Sequence, residues 1–336
     1  MITISGSTHR QDEHDMILRC GDFVYRYQPC WAQLPEAFGK NEVVSVACDS
    51  EDNLYVMTRH KEMPIMVFDQ QGALLRSFGK DLFPGRPHGV YINAKDELYC
   101  TDDKGHIAVK ISRAGDVIAA FGKANEPSDT GCDWKAYQNW RIKENIPPEQ
   151  TFDHYFPLQK QIDTIARSAG PFNGPTRMIE GRDGQLYCSD GYGNAAIHRF
   201  SMSGEYLGRW GEPGRDPGQF RLPHGLWQDY QNRIWVADRE NNRVQIFSPQ
   251  GELLILIENL PRPTEFCCDG KYIYLSESDA GFSIFTQDAE IVAQFGFFLS
   301  PMCFHGIAVN SKGDLFGATL GKNKFSNLIK LHRIRE

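Results

Sequence analysis

The chain has 336 residues, of which 41% are hydrophobic and 12% aromatic, and its formal net charge is −7. This composition is typical of a globular protein and excludes an intrinsically disordered one. The negative charge disfavours a broad binding surface for nucleic acid or anionic lipid, and no apolar run approaches the roughly 18 residues that a membrane helix needs. We therefore expect neither a nucleic-acid partner nor a membrane partner.

Two features bear on the compartment of the protein. The N-terminal stretch MITISGSTHRQDEHDMILRC is polar and acidic, unlike a secretory signal peptide, so we expect a cytoplasmic protein. The nine cysteines form an odd set without a CxxC pair, and several lie in strand-like stretches, where a free thiol behaves as a small hydrophobic side chain. We expect structural thiols rather than disulfides or metal ligands.

From residue 42 onwards one frame recurs six times. It is an alternating strand, a turn containing Asp, Gly or Asn, and a second strand with a central aromatic residue. In chain order the frames are VSVACDSEDNLYVMTR, HGVYINAKDELYCTDD, TRMIEGRDGQLYCSDGY, HGLWQDYQNRIWVADR, TEFCCDGKYIYLSES and HGIAVNSKGDLFGAT. Most continue into a third and a fourth strand, and units of about 40 residues with four strands are typical of propeller blades. The sequence predicts an all-β fold, a single six-bladed β-propeller over residues 1–336, with blades near 42–79, 86–122, 173–211, 220–258, 260–296 and 303–334.

Two segments lie outside this frame. We expect residues 23–34, FVYRYQPCWAQL, to add a strand to the last blade or to cover its seam. Residues 123–172 stand where a short connection between the second and third blades is expected, and two stretches within them have helical patterns, the second predicted to begin at the Pro147-Pro148 pair. An insertion of this length is functional or mobile in most compact domains. We expect it to be a lid, a surface decoration or a dimer contact.

One position in the first strand of each blade gives an alternating pattern. Counting back ten residues from the residue before the central aromatic, or nine in the fifth blade with its shorter turn, defines this position. Round the ring the series is Val44, His88, Thr176, His224, Thr264 and His305. In a propeller the first strand of each blade lines the central channel. The three histidines of alternate blades should therefore converge on the axis at one height.

Three neutral imidazoles around one point form a catalytic zinc site whose fourth position stays open for water or substrate. Other divalent metals also accept imidazole, so zinc is favoured over them without being unique. The alternative is that each histidine is a buried polar residue that bonds to the backbone. Three of the ten histidines occupy the same register position in alternate blades. This arrangement would rarely arise by chance, and it favours a metal site over three separate structural histidines.

Strand direction predicts which other side chains reach the same mouth of the channel. The second strand of a blade returns to the mouth that holds the histidines, and fifteen or sixteen residues past the register position lie Arg59, Tyr192 and Arg239. Arginine pairs with both oxygens of a carboxylate. A tyrosine beside cations should lose its proton more readily, which suits a general base. Blade-to-blade ion pairs and aromatic packing are the alternatives, whereas Asp102, Asp190, Asp238 and Arg243 are predicted to be structural.

The motifs CSDGYGN, RLPHGL and VADRENNRVQIF resemble those of the NHL-repeat propellers and, among them, the peptidyl-α-hydroxyglycine α-amidating lyases. The close match spans roughly residues 173–250. The resemblance implies a zinc ion held by His88, His224 and His305, a tyrosine base at Tyr192, and site arginines at Arg59 and Arg239. It also implies cleavage of an N-acyl α-hydroxyglycine to an amide and glyoxylate.

The sequence departs from that family in several places. The family's calcium binds two backbone carbonyls, which match Val46 and Val90, and an aspartate whose position is Gly306 here, so a structural calcium is doubtful. Gly193 replaces a cysteine and removes one disulfide of the family. No signal peptide or monooxygenase domain is recognised, and the 123–172 insertion is foreign to the family. We expect a small-molecule carboxylate substrate rather than a secreted peptide.

Three functional hypotheses follow. The first is a metal-dependent lyase that acts on a carboxylate with a hydroxyl beside nitrogen or another leaving atom. The second is a metal-dependent hydrolase or hydratase, in which bound water becomes the nucleophile. The third is a non-catalytic NHL scaffold that binds a partner. The fold does not choose among them, and the sequence does not predict the oligomeric state.

Overall fold

The computed structural model of the chain describes residues 3–5, 16–147, 149–153, 155–296, 302–320 and 327–335. Twenty-six strands form six antiparallel sheets within these residues, in the order in which the repeats occur. The fold is a six-bladed β-propeller, as the repeat predicts. Among the described residues no helix is both long and apolar enough to cross a membrane.

The first three blades have four strands each, and the chain fills every blade from its first strand outwards. Their strands are β4 (Val43–Cys48), β5 (Leu54–Thr58), β6 (Ile65–Phe68) and β7 (Leu74–Phe78); β8 (Pro87–Ile92), β9 (Leu98–Asp102), β10 (Ile107–Ile111) and β11 (Val117–Gly122); and β12 (Pro175–Glu180), β13 (Gln185–Asp190), β14 (Ala196–Ser201) and β15 (Tyr206–Trp210).

The fourth and fifth blades repeat this plan, while the sixth also takes strands from the N-terminal part of the chain. Their strands are β16 (Pro223–Gln228), β17 (Ile234–Asp238), β18 (Arg243–Phe247) and β19 (Leu253–Ile257); β20 (Pro263–Cys268), β21 (Tyr272–Glu277), β22 (Phe282–Thr286) and β23 (Ile291–Phe295); and β24 (Gly306–Val309), β25 (Leu315–Ala318), β26 (Leu328–Ile334), β3 (Phe23–Gln28), β2 (Ile17–Cys20) and β1 (Thr3–Ser5).

The ring closes through both the inner strands and the N-terminal strands. Each inner strand contacts the inner strands of the two neighbouring blades, and β24 contacts β4. Strand β3 pairs antiparallel with β26, with Lys330 opposite Gln28. The expectation that residues 23–34 add a strand to the last blade is therefore confirmed for Phe23–Gln28.

The hydrophobic core lies between neighbouring blades, because each sheet buries both of its faces against the next. Trp235 of the fourth blade is fully buried and makes edge contacts with Phe266 and Phe285 of the fifth, at ring-centroid distances of 6.2 and 5.7 Å. All nine cysteines, every one within the described residues, are free thiols. The expectation of structural thiols agrees with this.

The segment between the second and third blades holds two short helices, α1 (Ala136–Lys143) and α2 (Phe156–Ile162). The sequence reading gave the second helix too much length, because α2 begins at Phe156 with Pro157 in its first turn. Proline is favoured there because the N–H groups of a first turn have no acceptor within the helix, so a residue without an N–H loses no hydrogen bond. Of the Pro147-Pro148 pair taken as its start, Pro147 precedes the helix in irregular backbone and Pro148 lies outside the described residues.

Candidate metal centre and active site

The three register histidines meet on the propeller axis. His88, His224 and His305 are buried, and one nitrogen from each lies within 4.8 Å of those of the other two. The Nε2 atoms of His224 and His305 are 3.1 Å apart, and the three ring centroids are 4.7 to 5.0 Å from one another. Among the described residues this is the one cluster of histidine, cysteine or carboxylate side chains that could hold a metal ion.

A β-bulge turns each of the first two imidazoles towards the axis. The pairing of β8 with β9 shifts register between Pro87 and Gly89, so His88 is the extra residue. The pairing of β16 with β17 shifts in the same way around His224. Bulges re-aim a side chain in this manner and are frequent beside active sites. The third imidazole, on His305, comes directly before β24.

Glycine follows each histidine because the neighbouring inner strand approaches too closely for a side chain. A Cβ at Gly89 would collide with the carbonyl oxygen of Thr176, and a Cβ at Gly225 would collide with that of Thr264. The same close approach lets the imidazole before the glycine reach that carbonyl. The Pro-His-Gly sequence of the second and fourth blades thus provides the candidate ligand and permits the close contact with the next blade.

The intervening register positions hold the imidazoles in one tautomer. The Nδ1 atoms of His88, His224 and His305 lie 2.9, 3.1 and 2.7 Å from the carbonyl oxygens of Thr176, Thr264 and Val44 respectively. A carbonyl only accepts hydrogen bonds, so each Nδ1 carries the hydrogen and each Nε2 offers a lone pair to the axis. Such contacts to a ligand's second nitrogen orient histidines in metal sites.

The electrostatics keep these imidazoles neutral. Burial holds the pKa of all three well below the usual value for histidine, and nearby positive charges, Arg239 among them, lower the pKa further. Three lone pairs therefore face one point without a hydrogen between them. A cation at that point would relieve their repulsion, which makes the cluster chemically suited to a metal ion.

Tyr192 is brought to the same point, as the strand direction predicts. Its side chain is buried, and its Oη lies 3.3 Å from Nε2 of His88 and 3.5 Å from Nε2 of His224. Arg239 donates a hydrogen bond from Nη1 to the same oxygen at 3.2 Å. The phenol oxygen is thus within reach of any group bound to the imidazoles.

The two predicted arginines both line the cavity at this mouth. Arg239 also pairs with Glu240 at 2.9 Å, and Arg59 pairs with Glu42. Each of these two ion pairs joins residues of one blade, so neither is the blade-to-blade pair of the alternative interpretation. The Nε of Arg59 is buried without a hydrogen-bond partner among the described residues.

The sequence reading missed two further cations of the mouth, Arg86 and Lys104, which line the same cavity. The Arg86 guanidinium lies 5.2 Å from the centroid of the Tyr192 ring and pairs with the buried Asp103 at 2.8 Å. A signal was available, because Arg86 directly precedes the Pro-His-Gly of the second blade. The residues before the register position emerge at the same mouth as those fifteen or sixteen past it. Lys104 lies sixteen residues past His88, the same offset as that of Tyr192 from Thr176.

The 123–172 segment forms the other wall of the cavity, whose volume is about 380 Å³. Trp134, Tyr137, Tyr155, Leu158 and Gln161 of this segment face the side chains of the propeller across it. Gln161 donates a hydrogen bond from Nε2 to the backbone oxygen of Tyr192 at 2.7 Å. The insertion therefore touches the loop that carries the phenol.

The residues read as structural have structural partners. Asp102 accepts hydrogen bonds from the backbone of Gly85 and Gly105 at 2.6 and 2.7 Å. Asp238 accepts from the backbone of Arg221 at 2.8 Å and pairs with Arg243 at 2.7 Å. Asp190 accepts from the backbone of Asn173 at 2.8 Å. These carboxylates tie the ends of the second strands to the loops that lead into the inner strands.

Comparison with known proteins adds a family signature and several relatives. The family model of the NHL repeat matches residues 220–247. NHL repeat-containing protein 3 of Homo sapiens is 27% identical over 276 residues, which are 77% of this chain and 68% of that protein. Peptidyl-alpha-hydroxyglycine alpha-amidating lyase 2 of Drosophila melanogaster is 23% identical over 301 residues, 83% of this chain and 64% of that protein.

Solved structures share the fold. A streptogramin B lyase superposes with a TM-score of 0.60 over 92% of this chain and 98% of that chain, at 14% identity. A likeness at this identity concerns architecture alone. The sequence relatives carry the finer similarity, one with a name that describes only its repeat and the other with a name that states a reaction.

Proposed function

We propose that this chain, an NHL-repeat propeller that resembles the amidating lyases, is a metal-dependent lyase. Its substrate is a small carboxylate with an α-hydroxyl group, and the reaction breaks the bond from that carbon to nitrogen or a related heteroatom. The observation that carries the proposal is the convergence of three Nε2 lone pairs, each fixed by a carbonyl behind it.

The donor set suits zinc. Three neutral imidazoles leave a fourth tetrahedral position, and two nitrogens 3.1 Å apart are compatible with ligands about 2.0–2.1 Å from one ion. His88, His224 and His305 would hold the ion. When bound, zinc supplies a Lewis acid that polarises an oxygen of the substrate.

Tyr192 is the proposed base. As a phenolate it takes the proton of the substrate hydroxyl; the C–O bond becomes a carbonyl, and the C–N bond breaks with its electron pair going to nitrogen. The proton held on Tyr192 then passes to the nitrogen, so an N-acyl α-hydroxyglycine gives an amide and glyoxylate. The guanidinium groups of Arg86 and Arg239 lie 5.2 and 5.5 Å from the centroid of the Tyr192 ring.

Arg59 is the proposed anchor for the substrate carboxylate. It lines the cavity, Glu42 holds its Nη1, and its Nε is an unused buried donor. Arg239 donates a hydrogen bond from Nη1 to the phenol oxygen of Tyr192 and positions it. Lys104, on the same wall, adds a cation towards solvent. A guanidinium beside a carboxylate site gives directional recognition as well as charge.

We further propose that the 123–172 segment is a lid. Helix α2 is bound to three blades: Gln161 contacts the Tyr192 loop, Gln159 accepts from Arg221 at 2.8 Å, and Tyr155 donates to Asp279 at 2.7 Å. Arg262 also packs over the Tyr155 ring. Apolar contacts hold the segment as well, since Ile162 and Ile165 pack in one hydrophobic cluster with Tyr192 and Phe220. Closure of a lid over the cavity would exclude water from the reaction. A cytoplasmic location stays a prediction.

A hydrolase or hydratase is the second candidate, because the open fourth position could activate water instead of the substrate hydroxyl. The products separate the two reactions. In water enriched in oxygen-18, a lyase transfers no label to the amide, whereas hydrolysis places label in a new carboxylate. The carbonyl oxygen of glyoxylate exchanges with water. Trapping the glyoxylate as a hydrazone removes that oxygen, so that only label in the carboxylate is measured.

The metal centre is tested by elemental analysis of the purified protein and of His224→Ala. We expect close to one equivalent of zinc in the first and a large loss in the second. His198→Ala is the matched control, because His198 is equally buried and pairs with Asp190 away from the axis, so this variant should keep its metal. If the parent protein holds no metal even after supplementation, both enzymatic readings fail, and a non-catalytic scaffold remains.

A further inference from the structure

A second cluster spans the axis, formed by the residues that directly follow the three carbonyl-bearing register positions. Ser45, Arg177 and Glu265 come from the first, third and fifth blades, and all are buried. Ser45 donates from Oγ to the two carboxylate oxygens of Glu265 at 2.9 and 3.0 Å, and Arg177 pairs with the same carboxylate. We call this three-blade group the axial clasp.

The clasp is connected to the imidazoles through the backbone. Each member lies one residue after a carbonyl that holds an Nδ1 atom; these carbonyls belong to Val44, Thr176 and Thr264. A shift of any clasp residue must therefore move the carbonyl beside it. The clasp joins the three blades that have no histidine at the register position, and their carbonyls orient the three register histidines.

The surroundings of the Arg177 guanidinium are those of a bound cation. Its Nη1 donates to the carbonyl oxygen of Val90 at 2.7 Å and lies 3.4 Å from Oγ of Ser45, and its Nη2 lies 3.5 Å from the carbonyl oxygen of Phe266. With the Glu265 carboxylate, these groups make a shell of oxygen atoms. Calcium prefers such a shell of oxygen ligands.

Calcium itself does not fit this chain. The Val90 carbonyl, which the amidating-lyase resemblance assigns to the ion, already accepts a hydrogen bond from a cation. The expected aspartate is Gly306, and a Cβ there would stand 2.8 Å from Oε2 of Glu265 and 2.9 Å from Cα of Ser45. The space and the charge of the ion are both taken by side chains.

We propose that the Arg177 guanidinium is a built-in cation that replaces calcium on the axis, and that the axial clasp positions the metal-binding imidazoles. The first half depends only on the clasp itself. The second half rests on the proposed three-histidine metal site, and the experiments below separate the two.

Calcium independence tests the first half. The protein is freed of calcium on a chelating resin, given one equivalent of zinc, and its Tm is measured with and without millimolar CaCl2. An ion that binds only the folded state raises Tm. Because we propose that calcium has no site in this chain, we expect CaCl2 to change Tm by less than about 1 °C. A saturable rise of several degrees would show that calcium has a site here and would overturn the proposal. This result does not depend on whether zinc binds.

The variant Arg177→Met tests the second half, with Arg233→Met as the control. Arg233 forms a comparable ion pair with the buried Asp229, at 2.7 Å, in a turn of the fourth blade. Loss of one member of a buried pair should lower the Tm of Arg177→Met by roughly 5–10 °C. Loss of the orienting contacts should weaken zinc affinity by about 10–100-fold, as measured by competition with a chromophoric chelator.

The control and two further variants make the outcome decisive. Arg233→Met should lose stability but keep its zinc affinity and its cobalt(II) absorption spectrum. If Arg177→Met does not fold, Arg177→Lys replaces it, because lysine retains the positive charge without the forked guanidinium group. Arg177→Lys should bind zinc more weakly than the parent protein does. The double variant Arg177→Met with Glu265→Gln should regain part of the Tm that Arg177→Met loses. Unchanged zinc affinity and cobalt spectrum in a folded Arg177 variant would refute the positioning role. A parent protein without any metal affinity would refute the proposed function and leave the calcium result standing.

Discussion

At the residue scale, the site could be predicted because a repeat provides its own alignment. Counting from the aromatic of each second strand is enough to find His88, His224 and His305, and strand direction adds Arg59, Tyr192 and Arg239. The partners of these side chains could not be found in this way. The carbonyl groups of Val44, Thr176 and Thr264 contact the histidine Nδ1 atoms only because neighbouring inner strands lie close together. The sequence of one strand does not predict that distance.

The role of Tyr192 gives a prediction at the same scale. Tyr192→Phe removes the hydroxyl that contacts two imidazoles and Arg239 but keeps the ring that packs there. We expect kcat to fall by about 10²–10⁴-fold, the usual contribution of a general base, with an unchanged metal content. The kcat is measured as carbonyl product released from an N-acyl α-hydroxyglycine. Activity within a few-fold of the parent would remove Tyr192 from the chemistry.

At the element scale, strands were easier to predict than the inserted helices. The blades repeat one frame of strands and turns, whereas α2 is a single seven-residue helix held by side-chain contacts to the propeller. Its length follows from those contacts and from Phe156 stacking on Phe152 at 4.9 Å, which no local pattern specifies. The five bulged inner strands were likewise invisible, because a bulge changes pairing without changing composition.

The proposed lid role of residues 123–172 predicts an effect on substrate binding. Gln161→Ala removes the hydrogen bond between α2 and the Tyr192 loop and should leave the lid open for longer. We expect KM to rise by about 3–10-fold, corresponding to one lost hydrogen bond, while Tm and metal content stay unchanged. Lys143→Ala, at the end of α1 and away from the cavity lining, is the control. Equal KM values for the two variants would assign the segment a role other than a lid.

At the scale of the whole molecule, closure of the ring is what brings residues 217 positions apart, His88 and His305, to one point. Six repeats predict a closed ring, and the ring predicts the axis. The sequence predicted a role only for residues 23–34 and did not predict β2, because β2 and β3 lack the blade frame. Strand β3 joins the sixth blade by pairing with β26, and β2 pairs with β3. Tertiary contacts decide whether residues 23–34 add a strand to the last blade or cover its seam, and the local sequence does not specify those contacts.

Closure also predicts a stability effect. Tyr25 of β3 is fully buried and packs edge-on against Phe282 and Phe295 of the fifth blade, at 5.9 and 5.7 Å. Tyr25→Ala should lower the free energy of unfolding by about 3–5 kcal/mol, as for other large buried aromatic residues. Leu254→Ala, on the exposed side of the outer strand β19, should change it by less than about 0.5 kcal/mol. Denaturant titration compares them, and similar losses would mean that β3 does not seal the ring.

The central claim is that three imidazoles from alternate blades share one metal ion on the axis. Crystals of the zinc-supplemented protein, with data collected on both sides of the zinc absorption edge, test it directly. We expect one anomalous peak about 2.0–2.1 Å from the Nε2 atoms of His88, His224 and His305. An empty axis in these crystals, or a zinc peak held by other residues, would contradict the account.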